Sequence, residues 1–510
     1  MSNRRTGKQL ALGALLIILP MLSPCGAARA QTVNSFEGDR GPGQAVCKSN
    51  GGPIHCDRAE MDVAASGKQV VQVTWQNVNV YDTAGKLLKS TPLAALIRSA
   101  GLDPNPAKGG GPFEPHIVYN EFIERWIITV TCANDCTLVS ASADATDSWG
   151  GTYLSCLQGG PCLDRNPGIK LGYDKNGVYI CGGHAGDDNP NTVPGVSYDC
   201  FAVPPVEVKA IAQGTAPPHI NRGHNLPLDI VPAVDHDRSK AASAPAFFAN
   251  KSCDHAAQYS CQRSTNFSFH WIVNTFTWNG ATGTYNAGGA QQVIKTDIGS
   301  KENKWLYNTP CCGQTMSIPQ AGSDVTLRAA TSHRLMNVVQ HGSHLYGVLG
   351  TGPCTESCGA QGADANNLLI WMDLDCSQPT ACVVGQTAKI ASPDNHLEFG
   401  TIGADDTGNL GIVGTSSSAR TNLSVLLWTR RQDDPANTFT GPTTIVAGAH
   451  PYTCPNERNV SPMGNSVGIL TALDPVDRKT LWATQQWAND ATPCVWNTRI
   501  VGYKVAPEKR

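Results

Sequence analysis

The stretch YNTPCCGQT, residues 307–315, places Cys311 directly beside Cys312. Most disulfides join Cα atoms about 4.4–6.8 Å apart, whereas neighbouring Cα atoms lie about 3.8 Å apart across a trans peptide. A bond between these two sulfurs would make a rigid, flat plate with an exposed sulfur face. Such a plate can stack a sugar ring or a planar ligand, with Trp305 and Tyr307 beside it. The alternatives are a stiffened loop or pairing with other cysteines. Arg222, Arg334 and Arg458 offer guanidinium forks that suit a carboxylate or sulfate. They sit near His116, His224, His333, His396, Glu398, Glu457 and Asn465, each expected just before or early in a group of strands. The expected ligand-binding set is Arg222, His333, Arg334, His396, Glu398, Arg458, Trp305, Cys311 and Cys312. Structural roles compete at every arginine, as ties within or between sheets, and at Glu398, as a paired strand carboxylate.

Hydrolysis of a glycosidic bond needs two carboxyl groups, or a tyrosine nucleophile with an acid. Glu398 is the best-placed carboxylate; Asp229 and Glu457 are weaker, and Tyr119 and Tyr173 are the candidate tyrosines. No spacing commits any pair. His341 and His344 straddle a tight turn, HGSH, without a third metal ligand nearby. Cys354, Cys358 and Cys376 lack a histidine at zinc-ligand spacing. There is no G-x-S-x-G elbow, and no phosphate- or dinucleotide-binding glycine motif in a strand-to-helix context. No metal and no cofactor are expected. With 38 Lys+Arg against 41 Asp+Glu and no basic run, no nucleic-acid partner is expected either.

The elements that must position these residues are strands. Only 15% of the 510 residues are charged, while Gly numbers 51 and Pro 33, which means many turns and few surface helices. TPLAALIRSAG, residues 91–101, is the best amphipathic stretch. Short apolar runs bounded by turn signals fall into groups over 116–157, 169–211, 228–297, 335–390, 398–448 and 467–505, the last with only three strands. Groups of about four strands repeated in this way read as an all-β chain folded as a β-propeller. Residues 69–82 are expected to supply the missing strand of the last group, closing the ring with N- and C-terminal pieces and giving six blades. If residues 69–105 form a blade of their own, there are seven. A two-sheet sandwich with insertions is the alternative.

The N-terminus reads as a secretory signal: Arg4, Arg5 and Lys8, then LALGALLIILPML, then ARA at 28–30, so the mature chain is expected to begin at Gln31. The apolar stretch is too short to span a bilayer. LSPC at 22–25 has a weak lipoprotein look. The expected layout is signal 1–30, extended lead 31–58, propeller 59–506 and tail 507–510. Cysteine usage agrees with an oxidising compartment, secreted or periplasmic. Of 19 cysteines, 18 remain beyond Cys25, and spacing suggests Cys47–Cys56, Cys132–Cys136, Cys156–Cys162, Cys181–Cys200, Cys253–Cys261, Cys354–Cys358 and Cys376–Cys382. Cys454 and Cys494 then bridge the C-terminal region, and Cys311–Cys312 is the simplest remainder.

Several motifs resemble those of a broad group of exported bacterial β-propeller proteins. HIVYNEFIERWIITV is similar to the group's blade-opening pattern, KLGYDKNGVYI to its LGxDxNGxY hairpin, and HRLMNVVQHGSHLYGVLGTG to its RLxNxVxxxGxLY strand pair. SVGILTALDPVDRKTLWATQQWAN followed by WNTRI is similar to the closing blade. Together these cover most of 59–505. The resemblance implies architecture rather than activity. The chain departs from it at Met463-Gly464-Asn465, where many relatives carry Trp-Gly-Asp. SADATDSW, Ser142 to Trp149, resembles the Asp-box of sialidase-like propellers with Thr146 in place of glycine. That resemblance implies a hairpin role for Asp144 and Trp149, away from any active site. The expectation is therefore an exported, monomeric propeller that binds an extracellular glycan or other polymer at one channel mouth. A glycoside hydrolase or lyase on the same face, and a purely structural or adhesive module, are the alternatives.

Overall fold

The computed structural model describes residues 30–43, 58–105, 111–154, 169–185, 196–217, 219–226, 230–253, 269–286, 291–295, 317–328, 334–351, 366–454, 460–462 and 470–505. Over these residues the chain is all-β, with two short helices, Leu93–Ser99 and Pro205–Ile211. The first helix falls within the amphipathic stretch noted above and buries Leu93, Leu96 and Ile97.

The strands form antiparallel sheets that follow one another along the chain. Sheet I contains Met61–Ala65, Gln69–Thr74, Asn77–Asp82 and Leu87–Pro92, paired in that order. Sheet II contains Phe113–Asn120, Arg125–Thr131, Asp135–Ser140 and Trp149–Tyr153. Sheet III runs Lys170–Tyr173, Val178–Ala185, Val196–Val203, Asn221–Leu226. Sheet IV is built on Val231–Pro232, Ala246–Cys253 and Phe269–Asn279, and sheet V runs Val338–His341, His344–Thr351, Leu368–Asp375, Val383–Ile390. Sheet VI contains His396–Ala404, Leu410–Ser418, Thr421–Arg430 and Thr440–Gly448, and sheet VII contains Ala472–Leu473, Leu481–Trp487 and Asn497–Val505. The two-residue strand Val234–Asp235 pairs in parallel with Tyr173 on one side and with Val339 and Gln340 on the other, joining the first strands of sheets III and V.

Sequence explains which strands lie deep. Arg125–Thr131 reads RWIITVT, and residues 126–131 are buried on both faces, as expected for a β-branched run between two packed layers. The fourth strands are the exposed ones; Leu87–Pro92, LLKSTP, is mostly in solvent. Each sheet shares an apolar cluster with the next. Val71 and Val73 meet Ile117 and Ile128 between sheets I and II, and Ile127 and Val139 meet Leu171 and Ile180 between II and III. Tyr179 packs with Phe248, Phe276 and Trp278 between III and IV, and Trp271 with Leu349 and Ile370 between IV and V. Trp371 lies with Ile402 and Leu410 between V and VI, and Val413 with Leu481 and Val501 between VI and VII. Trp482 and Ile500 of sheet VII then cluster with Val63 and Val70 of sheet I.

Two expectations are corrected here. Residues 69–82 do not complete the last group. Tight turns fold Gln69–Thr74 and Asn77–Asp82 onto Met61–Ala65, Ser66 bonding back to Gln69 (3.0 Å), so they are interior to sheet I. The fourth strand of sheet VII is instead Ala30–Arg40, which pairs antiparallel with Asn497–Val505 from Ala30↔Val505 to Arg40↔Asn497. Residues 30–40 are thus an edge strand rather than a free lead.

A small accessory sheet, Ile318–Gln320, Ser323–Arg328 and Val460–Pro462, packs beside these units. It shares an apolar cluster with Trp75, Phe399, Tyr452, Trp496 and the Cys454–Cys494 disulfide. Cys132–Cys136, Cys181–Cys200 and Cys376–Cys382 are also bonded, as the spacing suggested. The other pairings, including Cys311–Cys312, involve residues outside those described.

Candidate functional site

The first strands of sheets I, II, III and VII, with Val234, surround a cavity of about 20 Å3. Its wall is largely apolar (Val63, Ala65, Ile117, Val118, Leu473), with Tyr119, Tyr173 and His236 among the lining residues. The end where these first strands begin is called the leading mouth below, and the end where they finish the trailing mouth.

At the trailing mouth, the turns after the first strands share one device. Asn120 accepts from the Phe122 amide (3.0 Å), Asp174 from Asn176 and Gly177 (2.7 and 2.9 Å), Asp405 from Thr407 (2.9 Å) and Asp474 from Val476 (2.9 Å). These side-chain-closed turns fix Glu121, Asp406 and Arg478 close to the first strand. Tyr173 donates to Glu121 at 2.6 Å, and Glu121 meets His236 Nδ1 at 2.9 Å. Arg478 bonds Asp406 at 2.5 Å and the His236 carbonyl at 2.9 Å, and lies 3.9 Å from Glu121. Burial would raise the Glu121 carboxyl, but the charge and hydrogen bond of His236 and the bond from Tyr173 outweigh it and hold it below its ordinary value. Burial and the neighbouring Glu121 push the Tyr173 phenol well above its ordinary value. Residues from sheets II, III, VI and VII and the 234–236 segment therefore satisfy one another here.

The leading mouth is built differently. Arg58 faces Glu60 (3.3 Å), whose other oxygen accepts the Glu114 amide at 2.9 Å. Gln486 accepts from Ala59 (3.4 Å), and Gln485 donates to the Phe399 carbonyl (2.7 Å). Glu60, Glu114 and Phe399 all have positive φ, at 36°, 56° and 51°. Non-glycine residues held there cost about 1–3 kcal/mol each and collect at functional sites. Glu114 and Phe399 fall at register breaks in the first strands of sheets II and VI. Asn367 clamps the start of sheet VI: its amide nitrogen donates to the Glu398 carboxylate, its backbone N–H to His396 Nδ1 (3.2 Å), and its carbonyl accepts from Leu397 (2.9 Å). Burial lowers the His396 imidazole below its ordinary value.

Of the expected residues, Arg334, His396 and Glu398 belong to the leading mouth, all largely buried. Arg222 does not. It lies on the outermost strand of sheet III, paired with Asp199 (2.8 Å from Nε) and stacked 5.6 Å from the Phe201 ring centre. The reason is that the next first strand begins only at Val231. Tyr119 packs on Trp126 at 4.8 Å inside the cavity wall, its phenol pushed up to about 12 by burial and by Glu124 and Glu121. Asn337, not Arg334, supplies the tie in the RLMN motif, bonding both the N–H and carbonyl of Ile402 (3.0 and 2.6 Å). His341 and His344 take separate partners, the Asp406 carbonyl (3.2 Å) and Asp373 (2.6 Å). Asp144 accepts from the Thr146 amide and from Gln69 of sheet I, both at 2.8 Å, while Trp149 is buried. Asp229, Trp305, Cys311, Cys312, His333 and Arg458 lie outside the described residues. Among those described, no helix is long and apolar enough to cross a membrane, and no group of three or more His, Cys, Asp or Glu could hold a metal ion.

No family model matches the sequence, and no curated protein is similar to it. Among solved structures, the chain is similar to Kuenenia stuttgartiensis hydrazine synthase at 10% identity, over 83% of this chain and 91% of that one, with a TM-score of 0.41. It is similar to extracellular domains 1-2 of Drosophila Semaphorin 1b at 7% identity, over 94% and 88%, with a TM-score of 0.40. Likeness to an ulvan lyase, a polysaccharide lyase, is 11% identity over 88% and 89%, with a TM-score of 0.34. Similarity of this degree carries nothing over to the chemistry of this chain.

Proposed function

We propose that the chain is an exported seven-bladed β-propeller that recognises an extracellular glycan at its leading mouth. Sheets I to VII would be the blades, with Ala30–Arg40 completing the last. The succession of shared apolar clusters, returning from Trp482 and Ile500 to Val63 and Val70, supports a ring. Four disulfides between described cysteines agree with an oxidising compartment.

The observation that carries the reading is the contrast between the mouths. The trailing mouth is occupied by its own ion network, so a ligand has the leading mouth left to it. There, buried carboxylates, Arg58, Arg334 and the amides of Gln485 and Gln486 gather around three left-handed backbone positions. Neutral polyhydroxylated ligands suit such a mixture of acceptors and donors. The segment holding Cys311 and Cys312 precedes Ile318 of the accessory sheet, whose cluster includes Phe399 at the same mouth. A sulfur plate beside this mouth would offer a sugar ring a stacking surface.

Turnover is the weaker reading. Tyr173 with Glu121 has the residue types of a tyrosine nucleophile and its acid, but Tyr173 is 2% exposed and its phenol is held protonated by burial. Glu60 and Glu114 are adjacent but both fully buried. The test is a glycan-array screen of the mature protein before and after mild reduction, repeated with Glu398→Gln and Arg334→Met. A specific signal weakened in both variants supports the reading. No signal, or one that both variants keep in full, overturns it.

A further inference from the structure

Asp62, at the start of sheet I, is fully buried and heavily loaded with donors. Its Oδ1 accepts from Val63 (2.8 Å) and Leu470 (2.7 Å), and its Oδ2 from Ile117 (3.1 Å). A carboxylate engaged in this way acts as an acceptor, so His116 Nδ1, 3.1 Å from Oδ2, must be the donor. In the neutral ring, Nε2 then presents a lone pair. His116 is 1% exposed, and Nε2 has no hydrogen-bond partner among the described residues.

Two hydroxyls share that condition. The register sets His116 opposite Thr129 and Thr129 opposite Thr137. Directly opposed residues project from the same face of a sheet. The Oγ1 atoms of Thr129 and Thr137 are buried and likewise have no partner among the described residues. The neighbouring row, Ile117, Ile128 and Leu138, belongs to the apolar cluster shared with sheet I. Sheet II therefore turns a dry face one way and a row of three unmet polar atoms the other. Buried polar atoms are paired in the great majority of cases, so three in register point to something that meets them.

We propose that this row is the deep end of the leading-mouth site, where His116 Nε2 accepts a hydrogen bond from a ligand hydroxyl and Thr129 and Thr137 complete the contact. The inference rests on the glycan reading above and names the atoms that would do the recognising. The row carries no fixed charge, and no metal-holding group is present among the described residues. Its chemistry therefore suits a neutral hydroxyl, which can donate to Nε2 while accepting from threonine. Asp62 is a positioning residue: it fixes which ring nitrogen is free.

The test uses the glycan found on the array. His116→Asn keeps a donor for Asp62 where Nδ1 stood and removes Nε2; binding should weaken about tenfold. Thr129→Val should weaken binding several-fold while raising the denaturation midpoint, because it deletes a buried unmet hydroxyl. Histidine 15N NMR of the wild-type protein should show the Nδ1-protonated form, with the Nε2 signal moving as glycan is added. If the wild type binds but both variants bind equally well, or the proton sits on Nε2, this proposal is overturned while glycan recognition stands. If no glycan binds, both fall. Should His116→Asn not fold, Thr129→Val and the NMR signal decide.

Discussion

The two mouths concentrate buried charge in opposite ways. At the trailing mouth every named charge has its complement in a neighbouring sheet: Glu121 with His236, and Arg478 with Asp406. At the leading mouth the backbone itself is held in costly conformations at Glu60, Glu114 and Phe399, and polar atoms such as His116 Nε2 face no protein partner. Charges that answer one another hold sheets together; strain and unmet acceptors are what a ligand can use. Charge density alone would not separate the two ends; the bonding of each charge does.

The comparison can be broken in several ways. The largest expected effect is at the leading side. Cys454–Cys494 closes a loop of 40 residues beside the accessory sheet, and replacing both cysteines with serine should cost about 4 kcal/mol by loop entropy, with glycan affinity falling as well. Guanidinium denaturation and the array read the two outcomes. Glu121→Ala at the trailing mouth should cost about 3 kcal/mol, because it strands His236 beside Arg478, yet leave glycan affinity unchanged. A large loss of affinity in that variant would erase the distinction between the mouths.

Acid should loosen the mouths in sequence. The unfolded chain protonates His396 near pH 6.5, whereas burial lowers it in the fold. Stability at the leading mouth is therefore lost as pH falls below about 6.5. The Glu121 carboxyl is also lowered in the fold, so its contribution is complete above the unfolded value of about 4.3 and is lost only as pH falls through the folded one. Hydrogen exchange at pH 5.5 should show faster opening around 396–398 than around 121; the reverse order would sink this account. The smallest effect belongs to His344. Its hydrogen bond to Asp373 raises it above its ordinary value, so it stabilises below about pH 6.5 and the gain is lost as pH rises through the folded value. Because it is more than a third exposed, His344→Ala should change the midpoint only slightly.

How much of this was legible beforehand depended on range. Strand existence was readable, because runs such as RWIITVT and SVLLWTR carry their own β preference, and four local disulfides followed from spacing. The partner of Asn497–Val505 was not, since nothing local marks Ala30–Arg40 over residues 69–82 as its mate. Glu398 and His396 were found because they open an apolar run. Glu121, Asp406 and Arg478 were missed, although each follows an Asn or Asp that closes a turn, a repeated signal along the chain. Glu60 and Glu114 left no trace at all: their meaning lies in φ and in a bond between sheets.

The edge strand Ala30–Arg40 also sets a timetable. It leaves the ribosome early and must wait for Asn497–Val505, almost the whole chain later, before it has a partner. Contacts so distant in sequence form slowly, and an unpaired strand edge invites association with other chains meanwhile. Folding of this protein therefore ends where synthesis ends. A leader attached just ahead of Ala30 would draw that waiting strand across a membrane first, and sheet VII would take its final form only on the far side.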